Sequence, residues 1–318
     1  HLGHSLYGVS QKKEHSLFLT WMLETIKKEK ADALLIAGDI FDQANPPSYA
    51  RRQYFDFLLA AKKSGLKQIF ILAGNHDSPS DLAAPKSLLQ ELEITVVNSC
   101  KENVKNLIFS LKDKKNKTRA LLSLLPYPRE TELRPPVPGE SFSQREKSWQ
   151  KALEDKYKNL LEETKKQAET HVPKAAIIGT GHLSLSSAKT AESEVKPYFA
   201  DLSKEFIENY LSKFDYFALG HFHRPQTVLH KHIAYSGSPL PLSFSEEKDH
   251  KRLMKLSLNE KNKIDLESIQ IPKFRNFYTL ESSYEKLEES LKKVKASPYK
   301  LASFFPLKLN SSKTINSD

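Results

Sequence analysis

Residues 32–42 read Asp32-Ala33-Leu34-Leu35-Ile36-Ala37-Gly38-Asp39-Ile40-Phe41-Asp42. An apolar, sheet-prone run leads into a glycine that permits a sharp backbone turn, and the turn delivers a carboxylate at a strand end. The arrangement returns along the chain. Gln68–Ala73 runs into Gly74-Asn75-His76-Asp77, Ala175–Ile178 into Gly179 and Gly181-His182, and Tyr216–Leu219 into Gly220-His221-Phe222-His223. Short apolar runs alternating with amphipathic stretches predict a layered α/β domain with a mixed sheet.

Helices are expected at Ser16–Lys30 and at Ser48–Lys63, the latter with Ser48 as N-cap and Gly65 as its stop. Ser143–His171 is rich in Glu, Lys, Gln and Leu, contains no Gly or Pro, and reads as a long exposed helix. Pro126–Pro138 reads as a surface loop. After Pro225 the pattern is strand-like at Gln226–His230, His232–Tyr235, Arg252–Leu258 and Ile264–Ile271. A shift near Pro272–Phe274 sets a boundary between residues 1–272 and 273–318, with Phe277–Leu280 strand-like and Ser283–Lys295 helical.

The chain has 318 residues, 39% hydrophobic and 28% charged, a globular composition that excludes disordered and fibrous classes. Lys and Arg number 49 against 39 Asp and Glu, and the net +10 favours an anionic partner such as nucleic acid or anionic lipid, with a solvated basic surface as the alternative. A single cysteine, Cys100, excludes an internal disulfide framework and suits a reducing compartment. No run approaches the roughly 18–20 apolar residues that span a bilayer, so no membrane association is expected.

At the ends of the apolar runs stand a carboxylate, an amide oxygen and several imidazoles. This donor set suits borderline divalent ions such as Mn²⁺, Fe²⁺, Co²⁺ or Zn²⁺, manganese being the first choice, whereas an all-oxygen set suits Mg²⁺ or Ca²⁺. A lone Gly-Asp or Gly-His is ordinarily a turn; the ordered set of them is what points to a metal site. Alternation places His221 and His223 on one face if the segment is extended.

Gly-Asp-x-x-Asp at 38–42, Gly-Asn-His-Asp at 74–77, Gly-His at 181–182 and Gly-His-x-His at 220–223 resemble the calcineurin-like metallophosphoesterase superfamily over most of residues 1–240. That pattern opens with Asp-x-His; His1, followed by Leu2-Gly3, is similar to its histidine, and the preceding Asp is absent from this sequence. Within the superfamily, Pro46-Pro47-Ser48-Tyr49-Ala50-Arg51, Tyr235-Ser236-Gly237-Ser238-Pro239, Phe244 and Glu246 resemble the bacterial SbcD nucleases, and Pro272 to Phe277 resembles the start of their cap domain.

The resemblance implies an α/β/β/α sandwich of two mixed sheets over 1–272, lacking its first strand, and a truncated α/β cap over 273–318. It implies two divalent ions bridged by Asp39, one completed by His1, His223 and the missing Asp, the other by Asn75, His182 and His221. His76 matches the family's catalytic histidine, with Asp77 orienting it, and Asp42 takes a supporting or merely structural place. DNA is the implied substrate, cut as a 3′→5′ double-strand exonuclease and a hairpin or single-strand endonuclease in repair and recombination. An SbcC-type ATPase is the implied partner, in a heterotetramer containing a homodimer of this chain, in the bacterial cytoplasm. The tail after Pro298 departs from the family's pattern.

His4, Arg51 and Arg52 are candidate DNA contacts, together with Lys12, Lys13, Lys62 and Lys63; Tyr7 and Tyr49 are candidates for stacking on a splayed end. Two alternatives share the same residues: a phosphoesterase acting on nucleotides or phosphoproteins, and a scaffold impaired in catalysis by lack of the first-motif Asp.

Overall fold

A computed structural model describes residues 1–194, 199, 201–276, 280–283, 286–292, 301 and 307–310. Helix α1 spans Lys12–Glu29, beginning before the expected Ser16, and ends on Lys30 in the left-handed conformation (φ 51°), whose N–H reaches the carbonyls of Ile26 and Lys27. In α2, Ser48–Lys63, Ser48 is the first helical residue rather than the cap. Pro47 holds the N-cap position in extended backbone, with no side-chain cap.

Helix α3 spans Phe142–His171 and is opened by Ser141, which forms a capping box with Gln144. The expectation of an exposed helix is corrected here. Trp149, Leu153, Tyr157, Leu160, Leu161, Thr164 and Ala168 recur at three- to four-residue spacing and form a buried stripe beneath the charged face. The Pro126–Pro138 segment is likewise only partly a surface loop: Pro126 and Pro128 are buried, and Glu130–Leu133 forms a short helix. The indole N–H of Trp149 donates to the Pro128 carbonyl at 3.0 Å, tying this segment to α3.

Strands β1 (Ala33–Ala37), β2 (Gln68–Leu72) and β3 (Ile94–Val97) form a three-stranded, wholly parallel sheet in that order. Helices occupy both connections, which is what parallel neighbours require. A six-stranded sheet contains β4 (Ile108–Lys112), β5 (Thr118–Leu125), β6 (Ala176–His182), β7 (Tyr216–Gly220), β8 (Gln226–Val228) and β9 (His230–Tyr235). Its order is β8-β9-β7-β6-β5-β4, with parallel pairing inside and antiparallel strands at both edges. The two-sheet layering is as expected, and the mixed pairing belongs to this larger sheet. Arg252–Leu258 and Ile264–Gln270 form a separate antiparallel pair.

Side-chain alternation along the small sheet explains the layering. Ile69, Ile71, Ile94 and Val96 join Met22, Ile26, Tyr54, Phe57, Leu58 and Ala61 in the core under α1 and α2. Phe70, Leu72 and Val97 belong to the core shared with the large sheet and α3. Each such fully buried Val, Ile, Leu or Phe side chain contributes about 1.5–3 kcal/mol. Between β5 and α3, Ser123 Oγ and Thr164 Oγ1 meet at 2.7 Å, which satisfies a buried polar pair inside the apolar layer.

Register brings the motif ends together. His182 lies opposite Gly220, and the His182 Nδ1–H donates to the Ala37 carbonyl at 2.8 Å, joining the carboxyl ends of the two sheets. Beyond the proposed boundary at residue 272, Leu280–Ser283 pairs in parallel with Leu307–Asn310, and Leu287–Lys292 is helical. Ser283 therefore ends a strand instead of starting the expected helix. Residues 277–279 of the expected strand and 293–295 of the expected helix lie outside the described residues. Among the described residues, no helix is long and apolar enough to cross a membrane.

Candidate metal centre

Asp39 follows β1 through Gly38 and itself adopts φ 51°, a left-handed conformation that turns its carboxylate back over the strand ends. Oδ1 accepts the His76 N–H at 3.0 Å, and Oδ2 stands 3.1 Å from His182 Nε2 and 3.7 Å from His1 Nε2. Burial opposes ionisation of this carboxyl, but His182 and His76 outweigh it and hold the group well below the usual carboxylate range.

Two groups of donor atoms converge, each within 4.8 Å: Asp39, His182 and His221 in one, His1, Asp39 and His76 in the other. Asp39 belongs to both. Asn75 joins the first, its Oδ1 lying 2.9 Å from His182 Nε2 and 3.0 Å from His221 Nδ1. His223, expected with His1 and Asp39, is not among the converging donors of the second group, where His76 stands instead; its ring lies against that of His1, centroids 4.8 Å apart.

The donor set fits a divalent cation on its own chemistry. His182 donates Nδ1–H to Ala37, and its Nε2 faces Asp39 Oδ2 and Asn75 Oδ1. Burial opposes protonation of this ring, but Asp39 outweighs it and raises the imidazole pKa, so Nε2 holds a proton between these acceptors unless a cation takes its place. Several acceptors pointing at one another in a buried place require a cation or a proton between them. Burial pushes the imidazoles of His221 and His223 down to about 3, with His182 adding to the effect on His221 and Lys251 to that on His223, so both rings stand in the neutral form that metals bind.

The expected alternation of His221 and His223 is not realised. His221 has φ 106°, so the segment bends, and the two rings turn to different sides: His221 toward Asn75, His223 toward His1. One turn thus serves both donor groups.

His76 sits against His1, ring centroids 4.9 Å apart, and its Nδ1–H donates to the Asp42 carbonyl at 2.7 Å, leaving Nε2 open. Asp77 does not hold the His76 ring. Its carboxylate accepts the N–H groups of Ile40 (3.2 Å), Phe41 (3.0 Å) and Gly74 (2.9 Å), so it braces the turns that carry Asp39 and Asn75. Asp42 also receives His4 Nδ1 on its carboxylate at 2.7 Å, while His4 Nε2 faces the Leu242 carbonyl at 3.2 Å. With both nitrogens engaged inside the protein, His4 is a brace between two loops.

Arg51 is engaged with Asp81, the Pro46 carbonyl and Asn45, whereas Arg52 is exposed. Tyr49 bonds to Ser10 Oγ at 3.2 Å beneath Lys12, and Tyr7 is 80% exposed beside Phe244. Of the proposed stacking pair, Tyr7 is the one that presents its ring to solvent.

Arg129 escaped the sequence reading. Its guanidinium donates to the Gly74 carbonyl at 3.0 Å and the Asp77 carbonyl at 2.8 Å, clamping the Asn75-His76 turn. A signal existed, because Tyr127-Pro128-Arg129 follows β5 at the same sheet edge as the other motifs. Ser193 and Glu194, which touch His223, lie in an irregular segment with no periodicity to mark them.

The chain matches the family model for calcineurin-like phosphoesterases across residues 13–225. It belongs to the calcineurin-like phosphoesterase family. This phosphoesterase chain is 31% identical over 274 residues to the SbcD subunit of nuclease SbcCD from Escherichia coli K12, covering 86% of the chain and 66% of that relative. It is 30% identical to the SbcD subunits from Rhodobacter capsulatus, over 253 residues, and Bacillus subtilis, over 250 residues, covering 77% of the chain and 61% of each relative. The phosphoesterase chain therefore spans about two thirds of the length of these relatives, 61–66%. The family binds divalent metals, in keeping with the two donor groups.

Proposed function

We propose that this chain is the catalytic part of a DNA nuclease similar to the SbcD subunit of SbcCD, hydrolysing phosphodiester bonds at a centre of two divalent ions, manganese by first choice. The observation that carries the reading is Asp39, a single buried carboxylate shared by two converging donor groups. One ion would be held by Asp39, His1 and His223, the other by Asp39, Asn75, His182 and His221. When bound, such a pair lowers the pKa of a bound water and neutralises charge on a phosphoryl group.

The chain's own residues do the rest. Asp77 and Arg129 keep the 39–42 and 74–77 turns in place, so the donors are positioned before substrate arrives. His76, held at Nδ1 by the Asp42 carbonyl, takes a proton from solvent at Nε2 and donates it to the leaving 3′-oxygen as the P–O bond breaks. The net charge of +10 supports a polyanionic substrate. Double-strand 3′→5′ exonuclease and hairpin or single-strand endonuclease activities, an SbcC-type ATPase partner, a dimeric arrangement of this chain and a bacterial cytoplasmic setting complete the proposal, on the similarity to SbcD.

The test compares labelled hairpin and duplex DNA with small phosphodiesters under Mn²⁺. Cleavage of the DNA substrates, abolished by a chelator, is expected. Turnover of small phosphodiesters alone would remove the nuclease reading.

A further inference from the structure

We propose that Ser193, backed by Glu246, is the positioning residue that holds His223 as its Nδ1–H tautomer with Nε2 open to the metal centre. The proposal rests on His223 being a ligand there.

Proton accounting leads to it. Ser193 Oγ lies 2.7 Å from His223 Nδ1 and 2.6 Å from Glu246 Oε1. A hydroxyl has one proton to give, and a carboxylate can only accept. Glu246 is fully buried in an ion pair with Lys251 and accepts the Leu242 N–H, so its oxygens face donors and serve as acceptors. The Ser193 proton therefore points to Glu246, and the oxygen of Ser193 is left to accept from His223 Nδ1–H. The lone pair of that ring is thereby placed on Nε2.

The backbone of the same residue is clamped independently. Glu194 Oε1 accepts the His223 N–H at 2.8 Å, and the His223 carbonyl receives the Ser238 N–H at 3.0 Å and Lys251 Nζ at 2.9 Å. With the main chain held on both sides, rotation and tautomer of the imidazole are what remain free, and Ser193 sets them. Two other histidines of the centre have their tautomers set by backbone carbonyls, His182 by Ala37 and His76 by Asp42. His223 differs in depending on a side chain, so its setting is open to mutation without disturbing a strand.

The experiment uses two readouts. In the metal-free wild-type chain labelled with ¹⁵N-histidine, long-range ¹⁵N–¹H correlations should report His223 protonated on Nδ1; protonation on Nε2 overturns the proposal. Calorimetric titration with Mn²⁺ should then show Ser193→Ala weakened by about 10–100-fold at one of two sites, the usual effect of losing a group that orients a ligand. Ser193→Thr, which keeps the hydroxyl, should restore the affinity. Unchanged Mn²⁺ affinity in a folded Ser193→Ala chain overturns the assignment. Should that variant fail to fold, the wild-type tautomer decides alone. A wild-type chain that shows Nδ1–H on His223 yet binds no Mn²⁺ supports the Ser193 arrangement and defeats the metal reading instead.

Discussion

Asp39 Oδ2 and His182 Nε2 stand 3.1 Å apart at the junction of the two sheets, and that imidazole donates to Ala37 from its other nitrogen. The pair therefore shares a proton at Nε2, which a divalent cation bound by the same two groups would displace. Replacing Asp39 with Asn keeps the shape and removes the one charge both donor groups share. Cleavage of hairpin DNA under Mn²⁺ is expected to fall at least about a thousandfold, roughly 4 kcal/mol of transition-state stabilisation. Rates of variant and wild type, matched by circular dichroism, check this; a loss under tenfold would remove Asp39 from the centre.

Gly220 marks a place where no side chain fits. A Cβ there would meet the Ala37 carbonyl oxygen at 1.7 Å and His182 Nδ1 at 2.7 Å, so Gly220→Ala must part β7 from β1 and break the bond that sets the His182 tautomer. The expected cost is about 3 kcal/mol or more, toward the upper end of overpacking effects, with weakened Mn²⁺ binding. Urea midpoints and calorimetry measure both. A variant of wild-type stability would show that the sheets are not this close.

Metal should stabilise the fold, because the donors come from segments far apart in the chain and converge only when it is folded. At free Mn²⁺ of a hundred times Kd, linkage gives about 2.7 kcal/mol. Thermal melts with Mn²⁺ and with a chelator should differ by several degrees, and coincident melts would argue against a built site.

His15 lies outside the centre, buried in α1 with Nδ1 lacking a hydrogen-bond partner, and burial, with His4 adding to it, lowers its imidazole to about 3. Its folded value is below the ordinary 6.5, so the unfolded chain binds more protons between those limits. Stability from this residue is complete above about pH 6.5 and declines as pH falls toward 3. Between pH 7 and pH 5 the loss is roughly 2 kcal/mol. Urea midpoints of wild type and His15→Met across this range provide the check, the variant showing a smaller decline; parallel declines would mean the ring is protonated in the fold.

The strand-ending motifs were legible because glycine followed by a polar residue after an apolar run has a local cause. Asp39, Asn75, His182 and His221 could be read this way, and so could the α/β layering. The inner face of α3 was hidden by its density of Glu and Lys, although Trp149, Leu153 and Tyr157 keep a four-residue spacing. Ser48 has the favoured N-cap chemistry, but Pro47 has the extended backbone the position requires, so the cap falls one residue earlier. Sequence adjacency points Asp77 at His76, but its carboxylate reaches the backbone of residues 37 and 36 positions away.

By itself, the sequence determined that Asp39, Asn75, His182, His221 and His223 follow apolar strand runs, since run length and glycine placement act over a few residues; His1 was marked only by the family pattern. The tertiary structure decided how they are held. The sharing of Asp39, implied by the family resemblance, is realised by strand register. The turning of His221 and His223 to different sides, the reach of Asp77 to the 39–42 turn and the contacts of Ser193 with the His223 ring and of Arg129 with the 74–77 turn are outcomes of that register and a left-handed backbone. Those relationships join residues separated by tens to more than a hundred positions, and packing of the two sheets against each other brings them within bonding distance.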